Sequence, residues 1–111
     1  MEIRVTGRHV EVSPAVKEYA QEKLGKLARF FNRVTSIELL LESVREVQRA
    51  EAVAHVEHNA PVVAHSDNAD VIAAIDEVAE KIERQLKKHK EIVRDGKKHT
   101  DETLRHGGAA D

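Results

Sequence analysis

Three groups of residues in this chain have types and spacings that do chemistry: its histidines, its paired carboxylates, and its runs of lysine and arginine. Seven histidines are many for 111 residues, and His55-x-x-His58 has the spacing of a metal pair. Residues 47–57 alternate like a strand, however, and strand residues three apart point to opposite faces. His65 could approach one of the two across a hairpin, giving two ligands from one face where a structural zinc site takes four. Cysteine is absent, which removes disulfides, thiolate zinc sites and thiol nucleophiles. Glu38 with Glu42, and Glu51 with Glu57, read as the solvated side of strands and not as acid–base pairs. His89 falls in a helical apolar stripe and reads as a partly buried core residue. A G-x-S-x-G elbow, a Walker loop and a G-x-G-x-x-G turn are all missing, and Gly107-Gly108 follows no strand. Neither catalysis nor a metal nor a cofactor is expected.

The basic residues are the sharper feature. Residues 81–98 hold eight (Lys81, Arg84, Lys87, Lys88, Lys90, Arg94, Lys97, Lys98) against Glu83, Glu91 and Asp95. Residues 14–33 add Lys17, Lys23, Lys26, Arg29 and Arg33 against Glu18 and Glu22. Residues 36–70 reverse the balance, with seven carboxylates against Arg45 and Arg49. The net charge of −2 therefore hides a bipolar molecule. Binding to a polyanion follows the local field, not the sum. Two readings stand at this point: an ordinary solvated face, or a surface that holds nucleic-acid phosphates. Aromatic residues are few (Tyr19, Phe30, Phe31), which disfavours base stacking as the main mode of binding.

These residues need elements to position them. Ile3 and Val5 alternate with polar neighbours as a short strand does. Ser13-Pro14 is a helix start, because the Ser oxygen caps free amides and Pro at the first helical position loses no hydrogen bond. Val16, Ala20, Leu24, Leu27 and Phe31 then form an amphipathic stripe, so the first helix runs over 14–31, with Asn32 marking its end. Residues 36–44 read as a strand despite the blur of Leu39-Leu40-Leu41. In 47–57, Ala50, Ala52, Ala54 and Val56 share a face whose small side chains let helices sit close. A turn at 59–61 leads into a returning strand over 62–66. Asp67, Asn68 and Asp70 are candidate N-caps for a second helix, whose stripe is Val71, Ile75, Val78, Ile82, Leu86, His89 and Val93. Opposite that stripe fall Arg84, Lys87 and Arg94, with Lys81 and Lys88 on its shoulder. The order β-α-β-β-β-α predicts an α+β two-layer sandwich: a four-stranded sheet, both helices on one face and polar side chains on the other.

Two stretches carry a family resemblance. V-T-G-R-H-V-E-V-S-P-A-V-K-E-Y at 5–19, followed by K-L-x-K-L-x-x-F-F at 23–31, resembles the start of the ribosome hibernation promoting factor and ribosome-associated inhibitor family, formerly described as sigma-54 modulation proteins. D-V-I-A-A-I-D-E-V-A-E-K-I-E-R-Q-L-K-K-H-K at 70–90 is similar to that family's most distinctive stretch, with Val71 and Ile72 in place of its usual Met and Tyr. The likeness covers about residues 2–92. It implies a fold related to double-stranded-RNA-binding domains, and a protein that binds the small ribosomal subunit in the messenger and transfer RNA channel and silences idle ribosomes by steric occlusion. The family's basic positions fall on Lys23, Lys26, Arg29, Lys81, Arg84, Lys87, Lys88 and Lys90, as ligands for phosphates of 16S-type ribosomal RNA. Such affinity is salt-dependent and largely independent of sequence.

The expected organisation is a ribosome-binding domain over 1–94 and a flexible tail over 95–111, which has no sustained period. The resemblance implies a short form without the extra ribosome-pairing domain of long members, and the K-H-K ending of the helix looks like the promoting branch, with ribosome dimers as the assembled product. The N-terminal segment has no export or transit pattern, and no run approaches the roughly 20 apolar residues of a membrane span, so a cytoplasmic protein without membrane contact is expected. Two other readings remain beside this one: a modulator that binds a protein partner through the sheet face, and a generic double-stranded-RNA binder.

Overall fold

The computed structural model describes residues 2–88. The chain forms β1 (Glu2–Arg8), α1 (Pro14–Phe30), β2 (Val34–Val44), β3 (Val47–Val56) and β4 (Val62–Asn68), and residues 71–88 are helical and form α2. The strands lie side by side in the order β1-β2-β3-β4. The β1–β2 pair is parallel and the other two are antiparallel. A parallel pair needs a crossover, and α1 supplies it. This is the expected β-α-β-β-β-α sandwich.

One sheet face is apolar at every second residue. Ile37, Leu39 and Leu41 on β2, Ala50, Ala52 and Ala54 on β3, and Val62 and Ala64 on β4 are buried. A register shift between Val34 and Ser36 lets both Val34 and Ile37 turn inward, which strict alternation forbids. Leu24 and Leu27 of α1 join Ile75, Val78, Ile82 and Leu86 of α2 in the same core, so both helices cover the same face. The fully buried alanines of β3 leave room for that second layer.

The starts of the helices are chemical. Ser13 Oγ accepts from the Val16 amide at 3.2 Å, one residue before Pro14. At α2 only one of the three expected caps acts as one: Asp70 Oδ2 accepts from the Ala73 amide at 3.2 Å. Asp67 and Asn68 belong to β4, which runs two residues beyond the expected end at 66. Asp67 is drawn into the sheet by Arg49 of β3, a partner that local pattern does not reveal.

The open face is not wholly polar. Its register aligns Arg8, Glu42, Arg49 and Asp67 across all four strands as an alternating charge row. Two rows away, Val53 and the exposed Val63 stand in register. Gly7 marks a close approach: a Cβ there would lie 2.3 Å from the Val10 carbonyl oxygen and 2.9 Å from Val12 Cγ2. The loop after β1 thus folds back over its last residues, helped by His9 in the left-handed region at φ 58°.

Candidate nucleic-acid interface

The two helices are parallel. Because β1 and β2 run the same way, α1 must run against them. Helix α2 runs against β4, since Glu77 meets Ser66 and Asn68, Lys81 meets His65, and Gln85 meets Val63 in descending order along the strand. The C-terminal halves of both helices therefore lie at one end of the sandwich. Those halves carry the bases: Lys23, Lys26 and Arg29 on α1, with Arg33 in the turn beyond, and Lys81, Arg84, Lys87 and Lys88 on α2. Acids weight the N-terminal halves, with Glu18 and Glu22 beside Lys17 on α1 and Asp76 and Glu77 on α2, while Glu80 and Glu83 are interleaved with the bases of α2. Arg29 in the last turn of α1 complements that end of the helix dipole, whereas the first turn of α1 holds Lys17 and no acid. Packed helix axes lie about 8–10 Å apart, so the two basic sets form one ridge.

The expected phosphate ligands separate into two groups. Lys26, Arg29 and Arg84 are exposed and make no ion pair among the described residues. Lys87 is exposed and loosely paired with Glu83 at 3.5 Å, one helical turn back. Two others are engaged inside the protein. Lys23 Nζ lies 3.4 Å from Asp76 Oδ1 of α2. Lys81 Nζ donates to the His65 carbonyl of β4 at 2.8 Å, and Gln85 Nε2 donates to the Val63 carbonyl at 3.1 Å, so α2 covers the outer edge of β4. Lys88 is partly buried in the last described turn, and Lys90 lies outside the described residues, as do His89 and the 95–111 tail.

What joins the helices is a seam that sequence reasoning missed. The Tyr19 hydroxyl donates to Asp76 Oδ1 at 2.5 Å, and the same oxygen faces Lys23. The hydrogen bond to the carboxylate, then burial, then the charges of Asp76 and Glu22 raise the Tyr19 pKa above its ordinary value. Both residues stand in the quoted stretches, Tyr19 closing the first and Asp76 following Ala74-Ile75, but 57 positions separate them and no local signal joins them. On the α2–β4 side, Glu77 accepts from Ser66 Oγ at 2.5 Å and Asn68 Nδ2 at 3.1 Å, which satisfies the one buried polar side chain of the sheet.

The hairpin histidines do not gather. His65 stands opposite Glu51 in the register, not opposite His55 or His58, and His55 Nε2 lies 3.4 Å from Glu38 Oε2. No three His, Asp or Glu side chains among the described residues are placed to hold a metal ion. No described helix is long and apolar enough to cross a membrane. What the site can do is present several exposed cations at one end of the sandwich, an arrangement that recognises closely spaced anions.

Comparison with known proteins adds to this geometry. The family model described as sigma 54 modulation protein / S30EA ribosomal protein matches residues 3–94. A ribosome hibernation promoting factor of Azotobacter vinelandii is 40% identical over 91 residues, covering 82% of this chain and 84% of that protein. One from Escherichia coli K12 is 32% identical over 94 residues, covering 85% and 98%. Among solved structures, the N-terminal domain of Thermus thermophilus Protein Y superposes with a TM-score of 0.73 at 28% identity, covering 80% of this chain and 99% of that one. A ribosomal subunit interface protein of Coxiella burnetii shares the fold with a TM-score of 0.76 at 24% identity, covering 81% and 98%.

Proposed function

The chain belongs to the sigma 54 modulation protein / S30EA ribosomal protein family, and from that premise we propose that it is a ribosome hibernation factor working through the helical ridge. The ridge docks on the small ribosomal subunit, in the channel that messenger RNA and transfer RNA use. Translation stops because the path is filled, with no reaction and no cofactor. Ribosome binding also places the protein in the cytoplasm, and paired ribosomes are the assembled product.

The observation that carries this reading is the convergence of Lys26, Arg29, Arg84 and Lys87 at one end of two parallel helices. Each is a ligand for a ribosomal RNA phosphate. Lys81 donates to an uncharged carbonyl of the β4 edge and, with three donors on its ammonium, keeps its charge and further donors for the same RNA. Asp76, in contrast, offsets the charge of Lys23 and leaves it a lesser share in the ridge. Lys88 and Lys90 follow Lys87 in the sequence and complete the set of proposed phosphate ligands. The open sheet face suits a docking partner less well, because Arg49 and Asp67 there satisfy each other at 2.8 and 3.0 Å.

Co-sedimentation with isolated ribosomal subunits across a salt series tests the proposal. The wild type should pellet with small and not large subunits, and weaken as salt rises. A chain carrying Arg29→Glu and Arg84→Glu, one change per helix, should stay in the supernatant while melting like the wild type. Free duplex RNA added in excess separates a generic duplex binder, which it would strip from the subunit. A wild type that never pellets, even at low salt, refutes the ribosome reading.

A further inference from the structure

Phe30 is the last residue of α1, and 76% of its surface is exposed, while its neighbour Phe31 is buried in the core. It is the most exposed large hydrophobic residue among those described. At 3.6 residues per turn, Tyr19, Lys23, Lys26 and Phe30 fall within about 60° of one another on α1. Tyr19 and Lys23 both meet Asp76 of α2, so this flank of α1 borders the groove between the helices. The ring therefore lies further along the same flank than Tyr19 and Lys23, towards the C-terminal end of α1. Lys26 stands one turn behind it, Arg29 precedes it, and Arg33 follows in the turn.

An isolated ring amid cations fits one kind of occupant. A protein partner needs a contiguous apolar patch. The other exposed large hydrophobics do not provide one: Val44 and Val47 close the far end of the β2–β3 hairpin, about 30 Å along the strand at about 3.3 Å per residue. Val63 is on the opposite sheet face. Phosphates beside the ring suit Lys26, Arg29 and Arg33, and the π-face of one unpaired base suits the ring itself. A continuous duplex offers no such face, because its bases are stacked on one another.

We propose that Phe30 is a stacking platform for one unpaired nucleobase of the ribosomal RNA, set within the phosphate-binding ridge. This rests on the ribosome reading above. It makes the bound RNA at this end of the ridge single-stranded or extruded, whereas cations alone would accept any backbone.

Two measurements with the full chain test it. In the sedimentation assay, Phe30→Leu keeps an apolar side chain but loses the ring, and should weaken binding to small subunits about tenfold. The salt slope should stay unchanged, since Phe30 neutralises no phosphate. Phe30→Trp should bind at least as well as wild type. Because the chain contains no tryptophan, that variant carries a single indole, whose emission should be quenched by oligoadenylate and not by an abasic oligomer of equal length and charge. If the wild type pellets and Phe30→Leu pellets as tightly, the platform is refuted while the ribosome reading stands. If Phe30→Leu binds fully while Phe30→Asp does not, the ring meets apolar protein and the proposal is likewise overturned. A wild type that fails to pellet removes both.

Discussion

Asp76→Asn should act in opposite directions on stability and on binding. The carboxylate has two partners, the Tyr19 hydroxyl at 2.5 Å and the Lys23 ammonium at 3.4 Å. An amide of the same shape keeps an oxygen for Tyr19 but turns a charge-assisted bond into a neutral one, a loss of about 1 kcal/mol. The pair with Lys23 is 40% exposed on each side, and such screened pairs contribute about 0.2–1 kcal/mol. Together these give about 1.5 kcal/mol, which lowers the melting temperature by about 6–12 °C in a domain of this size. Lys23 is meanwhile released into the ridge. One more cation available to phosphate should steepen the plot of log affinity against log salt by about 0.7–0.9. The two effects are separable. Lys23→Gln alone should leave the wild-type slope almost unchanged, because Asp76 already holds that charge, but in the Asp76→Asn background it should erase the gain. Melting curves and the sedimentation series read both. The reasoning fails if Lys23→Gln flattens the slope equally in both backgrounds, or if Asp76→Asn melts with the wild type. There is also an alkaline signature. The raised Tyr19 pKa adds stability below the ordinary tyrosine value of about 10, lost as pH climbs through the higher folded value, so the gap between wild type and Asp76→Asn should narrow there.

Three more outcomes follow from the fold. Gly7→Ala forces its new methyl against the Val10 carbonyl at 2.3 Å, so the loop must move and stability should fall by about 2–3 kcal/mol; a variant melting within a degree of wild type refutes the close approach. Replacing Lys81 and Gln85 by Ala bares the outer carbonyls of β4, and light scattering on warming should rise earlier than for wild type, since an uncovered edge strand templates association. Hydrogen bonds from Arg49 hold the Asp67 carboxyl below its ordinary range. That contribution is present above the ordinary carboxyl pKa of about 3.9 and is lost as pH falls through the lower folded value. The difference in melting temperature between wild type and Arg49→Gln should therefore close as the solution is acidified from pH 6 towards 2, and a constant gap would contradict the assignment.

The parts of the fold written in near-neighbour residues were legible, and the parts written across the chain were not. Ser13-Pro14 announces α1 because capping is a three-residue event. Ala50, Ala52 and Ala54 announce the buried face of β3 because alternation is local. The Leu39-Leu40-Leu41 run hid a simple division, with Leu39 and Leu41 buried and Leu40 on the open side. Asp67 and Asn68 have the composition of caps, but both pair with β3. There Asp67 meets the guanidinium of Arg49 and the Asn68 side-chain amide donates to Glu77 of α2, while Asn68 Oδ1 accepts from the Asp70 amide. The basic positions were visible as a set, but their division was not. Lys26, Arg29 and Arg84 face water, whereas Lys23 and Lys81 are held by Asp76 and by a β4 carbonyl, contacts across 53 and 16 positions of chain.

The separation of acids and bases along two parallel helices has a kinetic consequence. With the carboxylates of Glu38, Glu42 and Glu51 on the far side of the sheet, the molecule is an electric dipole that carries a small negative net charge. A polyanionic surface exerts a torque on such a body before it exerts an attraction, turning the helix ends inward during approach. Encounters then arrive already oriented, and lowering ionic strength quickens capture even though protein and target both carry negative totals.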